Sequence, residues 1–190
     1  MYKGWHMELA DLKPDDFIFE SEEFTDRYSC ECSFQIWDSQ WDIYICIEID
    51  KGDTVVLEKI PYYIEACKNH IQWVGENKDK FIQAMIDGGI VRYADYCAST
   101  NPIERDGKVY YRLFDGAITA EIEGPITEEV FIKCLTGAGI NLYIDDMDNE
   151  VEYLYEMFFG ADPPLFGDHG FEVSLRVDKA YNYKILMRKF

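Results

Sequence analysis

The chain has 190 residues, 48% of them hydrophobic and 16% aromatic, enough to build a buried core and to exclude disorder over most of its length. It carries 37 Asp and Glu against 18 Lys and Arg, a net charge of −19. That balance speaks against nucleic-acid binding and against anionic membranes, both of which need basic patches, and it favours a basic protein partner or a cation.

From the start, Met1 to Pro14 holds Trp5, His6, Glu8 and Asp11 among apolar residues, with no basic stretch leading into an apolar core. It does not read as a signal peptide, and no apolar run approaches the ~20 residues of a membrane helix. The expected location is the cytoplasm. The six cysteines, Cys30, Cys32, Cys46, Cys67, Cys97 and Cys134, are then expected as reduced structural thiols. Alternation puts Cys30 and Cys32 on one strand face with Phe34 and Ile36.

Residues 28–37 and 41–50 both alternate with period two. In the second, Trp41, Ile43, Ile45, Ile47 and Ile49 share one face while Asp42, Glu48 and Asp50 share the other. Asp38-Ser39-Gln40 between them predicts a hairpin turn. The period then changes. Ile60, Tyr63, Ile64, Cys67, Ile71 and Val74 predict an amphipathic helix with Pro61 in its first turn and His70 at its boundary. Helical patterns follow at 81–86 and 90–97, separated by Gly88-Gly89 and stopped by Asn101-Pro102.

The remainder is mostly strand. Residues 109–114 and 117–122 flank Asp115-Gly116, a two-residue hairpin turn. Thr127 caps a short helix through Val130, Phe131 and Cys134, ended by Gly137. Residues 140–144 and 151–155 form a hairpin around an acidic tip, 160–170 a turn-rich loop, and 171–177 and 181–187 two final strands. The expected fold is α+β: antiparallel sheet built from hairpins, packed with two or three helices from the middle of the chain. One domain spanning 1–190 is the simplest organisation, with two lobes, 1–100 and 105–190, as the alternative.

Few motifs carry chemistry. Counted from Asp146, the acidic tip places carboxylates at the first, third and fifth positions of a calcium loop. Val151 occupies the position that needs Gly, and Met157 the position that needs Glu, so the pattern is not an EF-hand. It reads as a polar hairpin tip. Asp168-His169 sits in a Gly-rich turn, where it can hold the turn or act as a functional pair. No phosphate loop, nucleophile elbow or metal-ligand spacing is present, so no residue is assigned a catalytic or metal-binding role and no cofactor is implied.

Read together, Ile126-Thr127-Glu128-Glu129-Val130-Phe131, the strand 140–144, Glu150-Val151-Glu152, Leu165-Phe166-Gly167-Asp168-His169 and the strand 171–177 resemble the uncharacterised bacterial family catalogued as domain of unknown function 2262. The likeness covers 125–190 best. Asp168 between Gly167 and His169, and the loop 160–164, depart from the family's pattern. The resemblance implies a bacterial cytosolic protein and no catalytic residues.

These observations lead to an expected non-enzymatic, acidic protein-binding module, of the kind that neutralises a basic bacterial toxin. Its binding residues are expected among Asp145, Asp146, Asp148, Glu150 and Glu152, with the Asp168-His169 turn as a second functional element. The alternatives are a hydrolase-like enzyme using carboxylates and His169, with or without a divalent metal, and a structural or regulatory domain without a dedicated ligand.

Overall fold

The computed structural model describes residues 7–21, 23, 25–50, 56–116, 118–147, 150–167 and 169–187. In chain order the strands and helices are β1 (Ile18–Ser21), β2 (Thr25–Ile36), β3 (Ser39–Asp50), α1 (Val56–Glu76), α2 (Lys78–Asp87), α3 (Ile90–Ala98), β4 (Pro102–Arg105), β5 (Lys108–Asp115), β6 (Ile118–Glu123), α4 (Glu128–Cys134), β7 (Leu135–Met147), β8 (Glu150–Ala161), β9 (Phe171–Asp178) and β10 (Tyr183–Met187). Seven strands form one sheet in the order β1-β2-β3-β7-β8-β9-β10, and β4-β5-β6 form a second, antiparallel one. The fold is α+β. The described residues fall into two compact units, one drawn from 1–78, 139–157 and 174–185, the other from 79–138, 158–173 and 186–190.

In the first unit, alternation sets the faces of the large sheet. Trp41, Ile43, Ile45, Ile47 and Ile49 are all buried, each contributing ~1.5–3 kcal/mol. The β2–β3 turn is shorter than the sequence suggests. Ile36 pairs with Ser39, leaving Trp37 and Asp38 as the two turn residues, at φ 51° and 63°. Two left-handed residues match the twist of the flanking strands, which outweighs the cost of placing a Trp there. Packing helps, because the Trp37 indole N–H donates to the Val74 carbonyl at 3.2 Å.

The sheet is mixed. β3 pairs with β7 in parallel, Ile43 opposite Ile140 and Ile47 opposite Ile144. Hairpins alone would give antiparallel neighbours. Here the chain leaves β3 through the helices and the small sheet before it returns, and parallel pairing needs that kind of long crossover.

α1 buries Ile60, Tyr63, Ile64, Cys67, Ile71 and Val74, the predicted stripe. It begins four residues before Ile60, so Pro61 falls in the second turn, where it removes one helical hydrogen bond.

In the second unit, Gly88-Gly89 separates α2 from α3, with Gly89 at φ 88°. β4 is an element the sequence reading lacks. It pairs with β5 across Asp106-Gly107, both left-handed at φ 55° and 74°. α4 is capped by the Thr127 hydroxyl, which accepts from the Val130 N–H at 3.3 Å. It ends at Cys134 rather than Gly137, because Leu135 is already extended and the chain enters β7 directly. Phe131, Phe159, Phe166 and Phe171 form the aromatic centre of this unit, Phe159 stacked on Phe171 at 5.4 Å. No helix among the described residues is long and apolar enough to cross a membrane.

Candidate functional site

The acidic residues at the end of β7 divide between the two faces of the sheet, as alternation requires. Asp146 points toward α1. It accepts hydrogen bonds from Lys59 Nζ at 2.6 Å and from the Tyr63 hydroxyl, and its side chain is 2% exposed. Burial pushes its pKa up, but the bonds from Lys59 and Tyr63 outweigh that and hold the carboxyl below the usual range. Its charge is committed inside the protein. Asp148, Asp168 and the side chain of Glu150 lie outside the described residues.

Asp145 and Glu152 lie on the other, outer face. They border an open cavity of about 470 Å³ that Cys46, Glu48, Tyr143, Leu154 and Arg176 also line. The parallel register explains the assembly. Cys46 is opposite Tyr143, and Ile47 opposite Ile144, so Glu48 and Asp145 come side by side one step further on. The floor is apolar and aromatic. Cys46, on this face, is still buried, and its thiol pKa is raised by that burial. Tyr143 is 38% exposed, its phenol raised first by burial and then by the charge of Glu156. Two arginines border the acids: Arg27 bonds Glu48 at 2.8 Å, and Arg176 approaches Glu152 at 3.5 Å. Both pairs are exposed and stabilise by ~0–1 kcal/mol at most. Chemically this is a shallow basin with a carboxylate rim, suited to a cationic or mixed polar–apolar group.

The 160–170 turn sits in the second unit. The His169 side chain is exposed, and its backbone N–H donates to the Phe166 carbonyl at 3.4 Å. It borders an open depression of about 620 Å³ together with Thr136, Phe158, Pro164 and Glu172. Gly170 is required here, since a Cβ would lie 2.5 Å from the Phe159 carbonyl oxygen.

His70, expected at a boundary, is 1% exposed. Its Nδ1 lies 2.7 Å from the Tyr155 hydroxyl, and its ring meets those of Tyr153, Tyr181 and Tyr183 at 4.7, 5.3 and 5.8 Å. Tyr155 is also hydrogen-bonded to the Cys67 thiol. Burial lowers the His70 pKa to about 4, so the ring is neutral at pH 7. A signal was present in the sequence: position 70 lies seven residues after Tyr63 and three after Cys67, on the same helical stripe.

All six cysteines are free thiols; Cys97 is half-buried and the rest buried. Burial pushes Cys32 and Cys67 up to about 12, and Cys30 further. Among the described residues no cluster of three or more His, Cys, Asp or Glu is arranged to hold a metal ion. No protein-family model matches the chain, and comparison with curated proteins and with solved structures finds no match to it.

Proposed function

We propose that this protein binds a basic protein partner through the outer face of its large sheet. The observation that carries the reading is the basin bordered by Glu48, Asp145 and Glu152 over a floor of Tyr143 and Leu154. The carboxylates of Glu48, Asp145, Glu152 and Glu156 outnumber the guanidinium groups of Arg27 and Arg176 on this face. Aromatic floor and charged rim are the ingredients of a protein interface. The net charge of −19 adds long-range attraction, which raises association rates with a cationic partner. An immunity-type inhibitor of a basic toxin is the form of this reading that the charge favours.

The experiment is affinity capture from the source cells with the wild-type chain and with a Glu48→Gln, Asp145→Asn, Glu152→Gln variant, at low and high ionic strength. A basic protein retained by the wild type at low salt, released at high salt and absent from the variant is expected. Identical proteins held by both chains would sink the proposal, as would a wild-type capture with nothing basic in it.

A further inference from the structure

A second surface of the first unit lies on the helix-bearing side of the large sheet. Tyr153 and Tyr155 turn their rings to His70 on this side, whereas Glu152 and Leu154 line the outer basin. Four rings gather around His70 as two pairs, Tyr62 with Tyr181 and Trp73 with Tyr183. Tyr62 and Tyr181 are 50% and 42% exposed and hydrogen-bonded to each other. Tyr181 and Tyr183 both pack on His70, and Trp73 stacks on Tyr183 at 3.9 Å with the rings 9° from parallel.

This aromatic platform is held in place by hydrogen bonds that offset backbone strain at Tyr181. Tyr181 has φ 58°, a left-handed conformation that Gly or Asn adopts far more readily. Asp178 enforces the turn: its carboxylate accepts from the backbone N–H groups of Ala180 at 2.8 Å and Asn182 at 3.0 Å, and its carbonyl from the Tyr181 N–H at 2.9 Å. A tyrosine kept in an unfavourable turn, with 42% of its surface still exposed, points to use of that ring.

We infer that this platform of Tyr62, Tyr181, Tyr183 and Trp73 receives an arginine side chain of a basic protein partner. A planar guanidinium stacks on the negative face of an aromatic ring. Glu65, exposed on α1, lies near enough to Tyr181 for its charge to act on the phenol, and it supplies the carboxylate that a stacked arginine pairs with. The acidity of the chain favours a cationic occupant over an anionic lipid surface. The inference concerns a different face from the outer basin and stands or falls separately from it.

The test uses the full chain with ¹³C-labelled tyrosine, titrated with acetyl-Gly-Arg-Gly-amide and, in parallel, with acetyl-Gly-Glu-Gly-amide. Saturable shifts of the Tyr62, Tyr181 and Tyr183 signals with the arginine peptide alone are expected. Tyr181→Gly, which relieves the left-handed strain and so keeps the fold, should abolish them; Tyr62→Ala and Glu65→Gln should weaken binding several-fold. The Glu48→Gln, Asp145→Asn, Glu152→Gln variant should leave them intact, which separates this surface from the outer one. The inference is overturned by shifts that survive both tyrosine variants, by equal response to the glutamate peptide, or by saturable response to phosphatidylcholine vesicles with none to the arginine peptide.

Discussion

His70 Nδ1 and the Tyr155 hydroxyl meet at 2.7 Å inside the core, where His70 is 1% exposed and a charge on it would be poorly solvated. The folded pKa of His70 is about 4, below the ~6.5 of an unfolded chain. As pH falls below ~6.5 the unfolded state takes up a proton that the folded state refuses, so stability declines by up to about 1.4 kcal/mol per pH unit until the folded group titrates too. Denaturant unfolding of the wild type and of His70→Gln, compared over the range from neutral down to about pH 5.5, should show the slope in the first and its loss in the second. Parallel curves would remove His70 as its source.

Asp145 and Asp146 are neighbours with opposite fates, and single substitutions should separate them. Asp146→Ala leaves Tyr63 and Lys59 without their acceptor and should destabilise by about 1–3 kcal/mol, nearer the lower value because Lys59 is 38% exposed. Because its folded pKa is depressed, this contribution is present above the ordinary carboxyl pKa and fades as pH falls through the folded value. Asp145→Asn should leave the melting temperature unchanged and weaken capture of a basic partner. The reverse pattern would move the interface to the other face.

Gly124 lies against the ring of Tyr111, where a Cβ would stand 2.6 Å from Cε2. That ring cannot yield freely, because Tyr111 is hydrogen-bonded to Asp95, which also accepts from the Ile126 N–H at 2.8 Å. Gly124→Ala should destabilise by about 1–3 kcal/mol. In a double-mutant cycle with Tyr111→Ala the two effects should be far from additive, measured by urea unfolding. Full additivity would show that the glycine is not kept for the ring.

Thiol reactivity should follow burial. Cys32 and Cys67, with pKa values near 12, carry almost no thiolate at neutral pH, and five of the six cysteines are shielded. Brief iodoacetamide treatment of the native protein, followed by peptide mapping, should label the half-buried Cys97 first, and the others only after denaturant is added. Early labelling of Cys30 or Cys32 would mean that β2 opens locally.

Local chemistry wrote the β2–β3 hairpin plainly, because five large residues alternate without a break from Trp41 to Ile49. The α1 stripe was equally legible. β4 was not, although Asp106-Gly107 is a strong turn signal; Pro102-Ile103-Glu104-Arg105 is too short and polar to show a period. The candidate site was half legible. Asp145 and Glu152 stand in an evident acidic stretch, but Glu48 joins them only through the β3–β7 pairing, which no local pattern encodes. The inward turn of Asp146 likewise depends on Lys59 and Tyr63, far away in the chain.

That β3–β7 pairing also bears on how the protein reaches its native state. Ile43 and Ile140 lie about a hundred residues apart in the chain, so joining them closes a long loop whose entropy must be lost before the contact stabilises anything. The central strand pair is therefore expected to form late and slowly, after the local hairpins and α1. A nick in the exposed Thr100–Asn101 connection after α3 would turn this closure into a meeting of two chains, and refolding would then depend on protein concentration.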